Sequence, residues 1–174
     1  IDNRPSLKSM IFTIETSRSK SVSGDITEKR KQYFLSLLEG FKEMRPGITK
    51  VKSISDQNWI AFGAGRSGFG FAWVFTTRKE LQVELYIDTG TREANKKAFD
   101  ELLQRKREIE KTLGFALRWE RLNEKRASRI SVGKPLEITA GREKLDQGRE
   151  WALDTMVKFV DTFRPLIFKL PQAG

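Results

Sequence analysis

The chain has 174 residues, with 33 Lys and Arg against 23 Asp and Glu, a net charge of +10, and 38% apolar and 32% charged residues. That suffices for one domain with its own core, and the basic excess favours polyanionic partners, nucleic acid before acidic membrane surfaces. There is no cysteine and no histidine, which excludes disulfides, thiolate metal sites, Cys nucleophiles, His general bases, most zinc sites and every Ser-His-Asp triad.

No apolar run is long enough to span a bilayer and no secretory signal is read, so no membrane partner and a cytoplasmic location are expected. The chain begins at Ile1 without a methionine, which leaves room for a longer parent protein. Residues 1–26 read as an arm or linker, with an edge strand over 6–14 and a Ser-, Lys- and Gly-rich connection over 17–24. Residues 27–174 read as a single α/β domain. Asp25 or Thr27 caps a helix over 28–44, where Tyr33, Phe34, Leu37, Leu38 and Phe41 make a core stripe and Pro46-Gly47 ends it.

Strands follow near 57–62, 69–77 and 81–88, the third alternating with Leu81, Val83, Leu85 and Ile87 on one face. Gly65-Arg66-Ser67-Gly68 between the first two could cradle a phosphate, but it lacks the Gly-Lys-Ser/Thr ending of a P-loop and reads better as a hairpin connection. The segment 88–91 supplies helix caps, and a helix spans 92–113, stopped by Gly114. Ala98, Leu102, Ile109 and Leu113 face inward, with Phe99 and Leu103 beside them. Lys96, Lys97, Arg105, Lys106, Arg107 and Lys111 crowd the rest among several Glu, a mixed charge that reads as a solvated face. Strands at 116–122 and 128–132 return. A final helix over 143–163 buries Trp151, Met156, Phe159, Val160 and Phe163, and Pro165 closes it.

The order helix, three strands, helix, two strands, helix predicts an α+β fold with a single mixed sheet flanked by helices. It matches the common core of the restriction-endonuclease-like fold, an analogy that assigns no reaction.

The segments Trp59-Ile60-Ala61-Phe62-Gly63, Val83-Glu84-Leu85-Tyr86-Ile87 and Ile109-Glu110-Lys111-Thr112-Leu113-Gly114 resemble the bacterial and archaeal family of the domain of unknown function 4268. The likeness is strongest in Leu117-Arg118-Trp119-Glu120-Arg121-Leu122 and Lys125-Arg126-Ala127-Ser128-Arg129-Ile130, and it covers roughly 28–166. The family often carries this domain after a nuclease-like one, so the resemblance implies work on DNA, in defence among other settings, with a fused or separate nuclease as partner. It brings no catalytic residues with it.

Nucleases of the analogous fold place two carboxylates on a divalent ion and a Glu-x-Lys motif on the third strand. Here that strand reads Glu84-Leu85-Tyr86, with Tyr86 in the lysine position. Glu84, Asp88 and Glu120 are the weak catalytic candidates, and Mg is the only cofactor that reading requires; otherwise none is expected. A mid-strand carboxylate such as Glu84 needs a partner, and Arg118 and Arg129 are its natural ones. The group is either a structural ion-pair network or a cleft that takes phosphate on bidentate arginines.

Arg66, Arg118, Arg121, Lys125, Arg126 and Arg129 are the candidate nucleic-acid contacts. Trp119 among them reads as core before it reads as a stacking platform. The expected function is a nucleic-acid-binding or regulatory module of a larger DNA-processing or defence protein. The alternatives are a divergent metal-dependent nuclease and a module that docks a partner nuclease.

Overall fold

A computed structural model describes the backbone of residues 7–172 and the side chains of residues 23–172. Its elements are α1 (Leu7–Met44), β1 (Trp59–Gly63), β2 (Phe69–Phe75), β3 (Glu80–Ile87), α2 (Arg92–Gln104), α3 (Lys106–Leu113), β4 (Arg118–Glu120), β5 (Ser128–Pro135) and α4 (Arg142–Lys169). The five strands form one sheet in the order β1-β2-β3-β5-β4. Every neighbouring pair is antiparallel, where a mixed sheet was expected. β5 enters between β3 and β4, so β4 runs with β3 but never beside it.

Strand alternation divides the sheet into two unlike faces. Leu81, Val83, Leu85 and Ile87 of β3 lie level with Phe75, Trp73, Phe71 and Phe69 of β2. Ile60, Phe62 and Ile130 share their side. Against this face pack Phe34, Leu37, Leu38 and Phe41 of α1, Phe99 and Leu102 of α2, Ile109 and Leu113 of α3, and Met156, Phe159, Val160 and Phe163 of α4, all in one buried cluster. Trp73 Nε1 donates to Ala152 O at 3.0 Å, so the largest core side chain is satisfied where it meets α4.

The opposite face holds Trp59, Ala61, Gly63, Gly70, Ala72, Val74, Gln82, Glu84, Tyr86, Arg118, Glu120, Arg129, Ser131 and Gly133. None of them belongs to the core cluster, although Ala72, Gln82, Glu84 and Ser131 are buried. The hydrophobic core therefore lies between one face of the sheet and the helices.

Several boundaries differ from the expected ones. From Leu7 onward the expected edge strand and Ser-rich linker are helix, and α1 continues without a break to Met44; the start of that strand at Ser6 lies outside the described residues. The Ser, Lys and Gly content of 17–24 carries only a weak penalty against helix. The expected helix over 92–113 breaks at Arg105, whose φ of −98° and ψ of 14° leave helical geometry. Gly114 terminates α3 in the left-handed conformation, φ 83°. Leu103, placed inward by periodicity, is 37% exposed: the buried stripe of α2 runs through Lys96, Phe99 and Leu102, and Leu103 lies beside it. α4 runs through Pro165 to Lys169, and the carbonyls at its end, Ile167 O and Leu170 O, accept from Arg66.

Candidate nucleic-acid interface

The expected arginine cluster begins on this second sheet face. Glu84 stands level with Ser131, and Glu120 with Arg129. This register brings one guanidinium between two carboxylates. Arg129 donates from Nε and Nη2 to Glu120 at 2.8 and 3.1 Å, a bidentate pair. Its Nη1 lies 3.7 Å from Glu84 Oε2, within ion-pair reach but beyond a hydrogen bond.

Glu84 instead accepts from Gln82 Nε2 at 2.6 Å. Burial, opposed by Arg129 and Gln82, holds the Glu84 carboxyl above the ordinary range, with the nearby Glu120 charge adding to the rise. The Arg129 hydrogen bonds hold Glu120 below it. Arg118 does not reach Glu84. It binds Glu80 at 2.8 Å and Gln82 Oε1 at 3.2 Å, lying over Gly133, where a Cβ would occupy the guanidinium's place.

The loop between β4 and β5 carries the other expected contacts. Arg121 is bidentate to Asp100 at 2.8 and 2.9 Å. Arg126 donates to Asp88 at 2.6 Å and holds that carboxyl below its usual range, with Asn95 contributing. Asn95 also donates to Arg126 O. The buried ammonium of Lys96 reaches Arg121 O, Leu122 O, Ala127 O and Ser128 Oγ at 2.5, 3.0, 2.6 and 3.0 Å. The loop is thus clamped to α2, and Lys125 at its tip is exposed with no ion-pair partner among the described residues. Trp119 is core-facing: it meets Phe99 edge-on at 6.1 Å and donates to Glu110 at 3.0 Å.

Arg66 lies apart from this cluster altogether. Its Nη1 donates to Ile167 O and Leu170 O, and Nη2 to Pro171 O, all at 2.7 Å. It caps the carbonyl end of α4, and the 65–68 segment is a hairpin connection. The adjoining cleft of about 290 Å³ mixes Arg66 and Lys97 with Glu93 and Glu101, so it offers an anion no clear positive field.

Of the six expected nucleic-acid residues, then, Arg118, Arg121, Arg126 and Arg129 are brought together but neutralised by Glu80, Asp100, Asp88 and Glu120, Arg66 is elsewhere, and Lys125 alone is uncommitted. The three expected catalytic carboxylates do not converge. Asp88 sits four residues beyond Glu84, roughly 13 Å at strand rise, and is paired with Arg126. Glu84 and Glu120 meet only through Arg129. Among the described residues no group of three acidic side chains is placed to hold a metal ion.

Uncommitted positive charge also lies on α3 and the end of α4. α3 packs against α4, and Lys158 Nζ of α4 lies 6.0 Å from the Phe115 ring just beyond the end of α3. Along this pair Arg105 consumes Glu108 at 2.6 Å, Lys158 consumes Asp154 at 3.1 Å, and Glu110 is spent on Leu117 N and Trp119 Nε1. Lys106, Arg107, Lys111 and Lys169 are exposed and have no carboxylate within ion-pair distance among the described residues. Arg107 and Lys111 are four apart and share one helix face. In the sequence these cations stand beside Glu108 and Glu110, which look like their partners but which the fold uses elsewhere. Arg105 three residues before Glu108, a spacing that pairs on a helix, was the available signal.

Among the described residues no helix is long and apolar enough to cross a membrane. The family model of a domain of unknown function (DUF4268) matches residues 29–167, most of the chain. No curated protein and no solved structure matches.

Proposed function

The chain belongs to the DUF4268 family, and we propose that it is a non-catalytic module that holds the nucleic-acid backbone for a larger cytoplasmic DNA-processing or defence protein. The observation that supports this reading is the division of charge. The clustered arginines are spent on internal carboxylates, whereas Lys106, Arg107 and Lys111 of α3 and Lys169 at the end of α4 are exposed with no carboxylate within ion-pair distance among the described residues. Lysine and arginine without convergent acceptors or base-reading side chains supply affinity for phosphate and little sequence preference.

A metal-dependent nuclease is the poorer reading. Glu84, Asp88 and Glu120 are apart, and Arg129 and Arg126 compete with any cation for them. The restriction-endonuclease-like description of the fold rests on element order, and the antiparallel pairing of all five strands weighs against it.

The test is fluorescence anisotropy with two unrelated labelled duplexes of equal length at rising salt. Equal affinities are expected, with log K falling against log salt at a slope of about −3.6 if all four of these cations meet phosphates. Absence of binding at low salt defeats the proposal. A parallel incubation with plasmid in magnesium or manganese is expected to leave it uncut; cleavage that disappears in Glu84→Ala puts the nuclease reading first.

A further inference from the structure

We infer that β1 is a pairing edge, and that its partner is β1 of a second copy of this chain. A sheet has two edges, and this one treats them differently. β4, at one edge, has three residues, two of them the charged Arg118 and Glu120, which are common devices against unwanted pairing. β1, at the other, is Trp59-Ile60-Ala61-Phe62-Gly63, with no charge and no proline.

Its hydrogen bonding leaves half the strand unused. Phe75 N donates to Asn58 O at 2.8 Å and Ala64 N donates to Phe69 O at 2.9 Å. Residues 58, 60, 62 and 64 therefore turn their backbone groups toward β2. Those of Trp59, Ala61 and Gly63 point away from the sheet, and among the described residues they have no backbone partner. Trp59 is 46% exposed, and nothing lies within 4 Å of where a Gly63 side chain would begin, so the sheet face at both ends of the strand is open as well.

The strand is complementary to itself. An antiparallel pairing that uses all three free residues centres a two-fold axis on Ala61. It sets Ala61 against Ala61 and Trp59 against Gly63. Each such pair exchanges two backbone bonds. The indole of Trp59 covers the backbone left bare by Gly63, the aromatic rescue that stabilises edge glycines. On the helix-covered side Ile60 meets Phe62, extending the apolar layer across the junction. No like charges meet, and the two sheets join into one continuous ten-stranded sheet, twice the five of one chain.

Sedimentation equilibrium of the whole chain tests this, with Ala61→Pro and Ala61→Lys as variants. The Ala61 N–H points outward, so proline there removes no bond to β2 and the domain stays folded by circular dichroism. The parent is expected to dimerise. Proline removes the two symmetry-related Ala61 N–H bonds, weakening the dimer by about 30-fold. Lysine opposes two like charges at the axis and weakens it as well. Val74→Lys, on the same face but one strand inward, is expected to leave it intact. A parent that remains monomeric overturns the inference. So does a dimer that survives both Ala61 variants, or one lost equally in Val74→Lys, which moves the contact to the sheet face.

Discussion

Arg129 and Glu84 are expected to contribute very unequally, although they form an ion pair. Arg129 serves two carboxylates, with Glu120 bidentate at 2.8 and 3.1 Å and Glu84 at 3.7 Å. Replacing it by alanine leaves the Glu84 carboxyl, 9% exposed, and the Glu120 carboxyl, 25% exposed, without their cation. Breaking a buried pair in this direction costs about 3 to 5 kcal/mol. Glu84→Gln does far less. Arg129 keeps Glu120, the Gln82 amide still has an oxygen to donate to, and the burial of an ionised carboxyl is relieved. A net change of no more than about 1 kcal/mol at neutral pH is expected.

The pH dependence supplies a second readout. The folded Glu84 carboxyl is raised above its unfolded value, so ionisation occurs first in the unfolded chain. Its contribution favours the fold at acid pH and is lost as pH rises through the window between the two values. The stability of Glu84→Gln relative to the parent should therefore improve across that window and level off above it. Urea unfolding at several pH values measures both effects. If Glu84→Gln costs as much as Arg129→Ala, or the difference falls as pH rises, the reasoning about this network is wrong.

Two other outcomes follow from the geometry. Lys96→Met strips the ammonium from three carbonyls and the Ser128 hydroxyl, so a loss of about 3 kcal/mol is expected; a urea midpoint unmoved from the parent contradicts the clamp. Gly68 has φ +85°, and a side chain there would begin 2.5 Å from Thr89 Cα, whereas Gly90 at φ +106° has nothing within 4 Å. Gly68→Ala is expected to lower the thermal midpoint clearly more than Gly90→Ala, since only the former adds a backbone clash to the conformational strain.

The strands were legible because large apolar residues alternate with small or polar ones over Phe69–Phe75 and Glu80–Ile87, and the large apolar ones face the core. The need of Glu84 for Arg129 was legible from the same alternation. What alternation cannot supply is strand order. Only with β5 between β3 and β4 does Arg129 sit level with Glu120 and leave Arg118 to Glu80. A cluster of arginines in the sequence therefore looked like a phosphate site until register assigned each one a carboxylate. The uncommitted cations of α3 and α4 were hidden by the reverse error. Glu108 and Glu110 counted as neutralising neighbours, yet Arg105, Leu117 N and Trp119 use them. The long α1 escaped because residues 7–26 lack the apolar periodicity that marks a packed helix.

The proposed interface is tested most directly by comparing two charge reversals on the same labelled duplex. One variant carries Arg107→Glu and Lys111→Glu on α3, and the other carries Arg121→Glu and Arg126→Glu in the clamped loop. The α3 variant should bind any sequence more weakly and flatten the salt slope by about 1.8, the share of two phosphates. The loop variant should lose stability, through Asp100 and Asp88, while the slope of its folded fraction stays at the parent value. A flattened slope in the loop variant with an unchanged one in the α3 variant contradicts the assignment and returns the site to the arginine cluster.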